Sequence, residues 1–172
     1  MKDALRQFLE DLQEEPDREG LKKTPERFIE AFEFLTSGYG HSPEELAQEA
    51  LFEADTQDFV LLKDIEFFSL CEHHLLPFFG KAHIGYFPGK TMIGLSKIPG
   101  IVDLFARRLQ TQERLGEQIL RSLEVILKPR GVGVVLEARH FCMMMRGTGK
   151  TQTTVVTHHR SGIVGKDAPF PI

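Results

Sequence analysis

Cysteine is scarce in this chain: there are two, Cys71 and Cys142, among 172 residues. That is too few for the disulfide framework of a small secreted domain. The pair leaves three readings: one disulfide, two inert core thiols, or two metal ligands. A basic excess is missing too. Lys and Arg number 21 against 25 acidic residues, giving a net charge of −4 and a pI near 6.0. Non-specific attraction to DNA or RNA phosphates therefore has no source, and no nucleic-acid partner is expected. Any anionic ligand must meet a few locally placed cations. No run of about 18 apolar residues occurs, which removes a transmembrane helix and, with it, a membrane partner. The start, Met1-Lys2-Asp3-Ala4-Leu5-Arg6, runs into acidic residues with no apolar stretch behind it, unlike a signal peptide. A cytoplasmic protein is the expectation. There is no internal repeat, low-complexity tract or long linker.

What is present fits an ordinary globular chain, with 41% hydrophobic and 27% charged residues. One domain is expected from the usual roughly 100–200 residues per domain. A chain of this size buries about 70% of its unfolded surface, enough for a core that needs no metal to exist.

The first fifty residues carry helical periodicity. Leu5, Phe8, Leu9 and Leu12 form one stripe, broken by Pro16 and Gly20. Thr24-Pro25-Glu26-Arg27 reads as an N-cap followed by proline in the first turn, with Phe28, Ile29, Phe32 and Leu35 continuing the stripe. Gly38 and Gly40 stop it. Ser42-Pro43-Glu44-Glu45 repeats the start signal, with Glu45 at the capping-box position. After about residue 56 the pattern changes. Phe59–Phe68 and Lys81–Pro88 are rich in β-branched and aromatic residues and read as strands. Helices are expected at about Lys97–Leu109 and Gln112–Leu127, then a strand over Gly131–Met145 and a fourth near Thr151–Thr157. Residues 1–55 thus read as a helical region and 56–172 as the catalytic region of one α+β domain with an antiparallel sheet. So small a sheet leaves open edges, which neighbouring subunits can close.

The chemistry gathers around the cysteines. Cys71 and His74 are three residues apart, within reach of one ion across a tight turn. His140 and Cys142 are two apart on an expected strand, which predicts that both project from one face. Each cysteine thus has a histidine beside it, in two separate segments, and thiolate with imidazole is the donor set zinc prefers. The candidates are Cys71, His73, His74, His140 and Cys142. Three of them can hold an ion, leaving a water position and spare imidazoles for proton transfer. That suits hydrolysis, because zinc lowers the pKa of a bound water toward about 7. Ser96-Lys97 opens a helix, where backbone N–H groups, a hydroxyl and an ammonium can hold phosphate. Read alone, it is equally a solvated helix start, as Glu113 is a first-turn acid that offsets the helix dipole. Arg146, four residues beyond Cys142, brings a guanidinium toward the same region.

Taken together, Ser69-Leu70-Cys71-Glu72-His73-His74-Leu75-Leu76-Pro77-Phe78, Ile93-Gly94-Leu95-Ser96-Lys97, Gln112-Glu113-Arg114-Leu115 and His140-Phe141-Cys142-Met143 with Arg146-Gly147 resemble the motif series of GTP cyclohydrolase I. The resemblance covers roughly residues 5–147. It implies conversion of GTP to 7,8-dihydroneopterin triphosphate with release of formate, the entry to folate and pterin synthesis. It also implies the tunnelling fold (a ββααββ-like antiparallel sheet with two helices), subunit sheets joined into a barrel, and a homo-oligomer, typically a decamer, with active sites between subunits. By the same resemblance Cys71, His74 and Cys142 hold one zinc ion per subunit, and His73 and His140 transfer protons. Glu113 recognises the guanine edge, Gln112 and Ser96 assist ring and ribose chemistry, and Lys97 and Arg146 bind the triphosphate.

Two features depart from the family pattern. Gly100 stands where many members have an arginine for the triphosphate. Beyond Gly147 the chain matches the usual last strand and helix poorly; His158 and His159 are expected to be exposed, and Pro169-Phe170-Pro171-Ile172 to be disordered. Two other readings compete. One is a fold relative of the nitrile reductase type, which needs a cysteine nucleophile and a nicotinamide cofactor. The other is a non-catalytic zinc-binding assembly protein.

Overall fold

The computed structural model describes residues 1–164; the expectations for Pro169-Phe170-Pro171-Ile172 and for a terminal helix lie outside the described residues. The chain divides into two compact units, Met1–Thr36 and Ser37–Ile172. The first holds α1 (Lys2–Asp11) and α2 (Thr24–Leu35). Within it the Arg6 guanidinium donates to both carboxylate oxygens of Asp17, at 3.1 and 3.0 Å. Thr24 is the first helical residue rather than the cap, which falls on Lys23, and Pro25 sits in the first turn, where its missing N–H costs nothing.

The second unit begins with two short 3₁₀ turns flanking α3 (Pro43–Ala47), where Ser42 Oγ accepts from the N–H groups of Glu44 and Glu45. It continues with β1 (Leu51–Glu53), β2 (Val60–Cys71), β3 (Pro77–Phe87), β4 (Thr91–Ile93), α4 (Lys97–Ala106), β5 (Leu109–Gln110), α5 (Gln112–Leu127), β6 (Gly131–His140), α6 (Phe141–Met144) and β7 (Val155–Gly162). The main sheet has the order β5-β2-β3-β6-β7, antiparallel except where β5 runs parallel to β2. β1 and β4 form a separate two-stranded sheet. This is the mixed α+β architecture with an antiparallel sheet that the sequence implies.

One sheet face is apolar. Phe67, Phe78, Ala82, Ile84, Tyr86, Val132, Val134, Leu136 and Ala138 alternate along β2, β3 and β6 and form one core with Ile98, Ile101 and Val102 of α4 and Leu115, Ile119 and Leu123 of α5. Each large side chain so buried contributes about 1.5–3 kcal/mol, which makes this face the main source of stability. Thr111 caps α5 by accepting from Arg114 N–H at 3.2 Å. No helix among the described residues is long and apolar enough to cross a membrane.

The strand expected over Gly131–Met145 ends at His140, and Cys142 lies in the short helix α6. The reading that His140 and Cys142 share one strand face is therefore corrected. The last β3–β6 pair is Phe78↔His140, and just before Pro77 the neighbouring strand turns away into its hairpin. Without a ladder partner the Phe-Cys-Met-Met segment takes a helical turn instead. Past residue 150, β7 adds a strand at the sheet edge. His158 is exposed on it, whereas the His159 side chain is only 14% exposed and packs on α5 beside Glu117, so the expectation for His159 is also corrected.

Candidate metal centre

The β2–β3 hairpin is closed by a tight turn. Leu75 N–H donates to Cys71 O at 2.8 Å and Cys71 N–H to Leu76 O at 2.9 Å, while Leu75 takes a left-handed φ of 54°. The turn curls both histidines back over the preceding thiol: His73 Nδ1 lies 3.8 Å and His74 Nδ1 4.0 Å from Cys71 Sγ. Across the sheet, α6 brings in Cys142. The ligand atoms of Cys71, His74 and Cys142 all lie within 4.8 Å of one another, and His73 stands outside that group. Tetrahedral zinc, with ligand bonds of about 2.0–2.3 Å, holds its ligand atoms about 3.5–3.8 Å apart. The donor types and a modest contraction therefore fit zinc. Both cysteines are free thiols. Burial and the neighbouring Cys71 push the Cys142 thiol above its ordinary value, and Arg146 works against that shift. Arg146 is exposed.

His140 ends β6 with its ring stacked on Phe78 and its Nε2 2.8 Å from Gln112 Oε1. Gln112, 2% exposed, donates through Nε2 to the carbonyls of Leu136 and Val155, both at 3.0 Å, with the Thr157 hydroxyl at 3.3 Å. Carbonyls only accept, so the amide nitrogen must face them and Oε1 must face the imidazole. His140 then carries its hydrogen on Nε2, and Nδ1 is the nitrogen left to take or give a proton. Burial lowers the His140 pKa, with the charge of Glu113 opposing. Glu113 is exposed in the first turn of α5, next in sequence to the Gln112 that bonds His140. Thr157 was missed in the sequence, where nothing local marks it as the anchor of Gln112.

Ser96 and Lys97 are not brought to this cluster. It is the C-terminal turn of α4 that meets the centre, through Gln110 Nε2 donating to Phe105 O at 2.9 Å beside Cys71. From Phe105 back to Lys97, the start of α4, is about 12 Å along the helix. The Ser96 side chain makes no capping hydrogen bond, and Ser96 is exposed. Gly100 sits among side chains of the same unit: a Cβ there would come 2.9 Å from Leu46 Cδ2.

The sequence model of the family described as GTP cyclohydrolase I matches residues 1–170. A protein of Campylobacter jejuni named GTP cyclohydrolase 1 is 53% identical over 165 residues, 96% of this chain and 87% of that one. Proteins of the same name from Leptospira biflexa and Gloeobacter violaceus are each 51% identical, over 97% and 95% of this chain and 91% and 76% of theirs. Among solved structures, the archaeosine synthase QueF-Like in its apo form superposes with a TM-score of 0.52 at 18% identity, over 63% of this chain and 97% of that one. At that identity the likeness is one of fold.

Proposed function

The chain belongs to the GTP cyclohydrolase I family, and from that premise we propose that Cys71, His74 and Cys142 form its zinc centre, one ion per chain. The protein is an enzyme that converts GTP to 7,8-dihydroneopterin triphosphate and formate. The observation that carries the proposal is the meeting of two thiols and an imidazole from segments about 70 residues apart, beside a histidine whose free nitrogen is defined by Gln112. The nitrile reductase and non-catalytic readings are not favoured, because both cysteines are taken up in the metal cluster and the family match spans the chain.

Zinc held there would supply Lewis acidity and a water acidic enough to act as a nucleophile near neutral pH. The chain supplies the rest. Glu113 accepts hydrogen bonds from the guanine N1–H and C2 amine; adenine has a bare N1 and no amine at C2, and an unpaired carboxylate would reject it strongly. His140 Nδ1 takes up the proton that the attacking water loses and passes it to purine N7 as the five-membered ring opens. His73, exposed on the hairpin turn, is the second proton carrier for the hydration that frees formate. Imidazole suits both roles, since its ordinary pKa of about 6.5 permits transfer in either direction. Arg146 binds phosphate oxygens of the triphosphate.

Ser96 and Lys97 act on the ribose and triphosphate of a neighbouring chain's site, because about 12 Å of α4 separates them from Phe105, whose carbonyl meets Gln110 beside Cys71. A homo-oligomer, a decamer in our reading, with sites between subunits follows from that separation. Among the described residues nothing pairs with the outer edge of β7, an edge a second sheet can cover. The catalytic residues all fall within 56–172, the part we assign to the tunnelling fold. Incubating the zinc-loaded protein with GTP tests the reading: formate and pteridine absorbance should appear in equal amounts, and zinc-loaded protein that leaves GTP intact would overturn it.

A further inference from the structure

Two residues of the motif series have no part in the chemistry above. Glu72 lies between Cys71 and His73, and Arg114 follows Glu113. Glu72 Oε2 and Arg114 Nη2 are 2.6 Å apart, and the pair is about one-third to two-fifths exposed, at 32% and 43%. The same guanidinium donates through Nε to Gln110 Oε1 at 2.9 Å and through Nη2 to Leu109 O. Gln110, 1% exposed, is held in turn by its own Nε2, which donates to Phe105 O and to Gln118 Oε1. The Glu72 backbone joins the assembly, its N–H donating to Gln110 O at 3.0 Å. The other carboxylate oxygen, Oε1, lies 3.9 Å from His73 Nε2.

We infer that Glu72 and Arg114 are positioning residues that lock the metal-bearing turn to the first turn of α5, so that Cys71, His73 and His74 hold a fixed place relative to Gln112 and Glu113. The need for a lock is local. The turn contains a left-handed Leu75, a conformation disfavoured for a residue with a Cβ, and both of its histidines are exposed. A planar guanidinium serves three acceptors in one plane at once, which an ammonium does not. Nε and Nη2 grip β5, and Nη2 also holds the carboxylate of the turn. The remaining carboxylate oxygen faces His73 and biases its ring. As a partly exposed ion pair it adds little to stability, so its value lies in geometry.

The inference rests on the zinc assignment but not on the reaction, and its test is read without substrate. Zinc affinity of the full chain is measured by competition with a chromogenic chelator for wild type, Glu72→Ala, Arg114→Met and the double variant. Each single change is expected to weaken zinc about 10–100-fold, as loss of groups that orient ligands does. The double variant is expected to be no weaker than the worse single, because either change breaks the same tie. The metal-free melting temperature should fall by no more than about 4 °C. Affinities within about twofold of wild type, losses that multiply in the double variant, or a much larger fall in melting temperature would each overturn the inference. Should Arg114→Met fail to fold, Glu72→Ala alone decides on the same criteria. If wild type binds zinc but releases no formate, the reaction assignment fails while the affinities still judge the tie.

Discussion

Phe78 and His140 face each other across β3 and β6 with their rings parallel, centroids 4.7 Å apart at an interplanar angle of 1°. They are the last residue pair of that ladder. His140 is therefore held on its face by an aromatic ring and at Nε2 by Gln112, with one nitrogen left to act.

Cutting the second hold should separate chemistry from binding. Gln112→Leu leaves His140 Nε2 and the carbonyls of Leu136 and Val155 without their partner, a loss of about 1–3 kcal/mol in stability. Steady-state kinetics should show kcat falling about 10²-fold or more, the usual worth of a positioned acid–base group. KM for GTP should change little, because Glu113 stays in place. An unchanged kcat would refute the role assigned to the amide.

A second expectation concerns packing between α5 and β7. Glycine inside a helix costs about 1 kcal/mol relative to alanine, and Gly116 is tolerated because the ring of His159 fills the space. A Cβ at Gly116 would lie 2.4 Å from His159 Cδ2 and 2.5 Å from Nε2. Gly116→Ala should destabilise the wild type by about 1–3 kcal/mol through overpacking. In a His159→Ser background the same change should stabilise, by about 0.5–1 kcal/mol. Denaturant melts of the four proteins check the reversal of sign; the same sign in both backgrounds would contradict it.

A third follows from the length of α4. If Ser96 and Lys97 serve a neighbouring chain's zinc centre, Cys142→Ser and Lys97→Met subunits, each inactive alone, should complement when coexpressed. Random assembly leaves roughly a quarter of sites with both contributions intact, so activity should return to roughly that fraction of wild type. No recovery in verified mixed oligomers would place both contributions in one chain.

The candidates for the metal cluster were legible in the sequence because their signal is chemical, thiol and imidazole at short spacing, twice; which three of the five come together was implied only by the family resemblance. Helix positions were legible from caps and periodicity, as Ser42 and α5 illustrate. The end of β6 was not, since Phe141–Met145 is apolar enough to continue a strand and only the departure of β3 at Pro77 stops it. β1, β4 and β5 are too short to carry a pattern of their own. The tie of Glu72 to Arg114 and that of Gln112 to Thr157 join residues 42 and 45 positions apart, and neither the charge of one nor the hydroxyl of the other names its partner. The motif at Ser96-Lys97 was legible as a motif, but a sequence does not say whose site a residue serves.

The most direct measurement of the central claim is a zinc titration of metal-free protein in excess GTP, with formate release followed at each addition. The expected result is a rate that rises linearly, breaks at one zinc per chain, and stays at background for Cys142→Ser throughout. Formate release by the metal-free protein at the full rate, or none from the fully loaded protein, would contradict it.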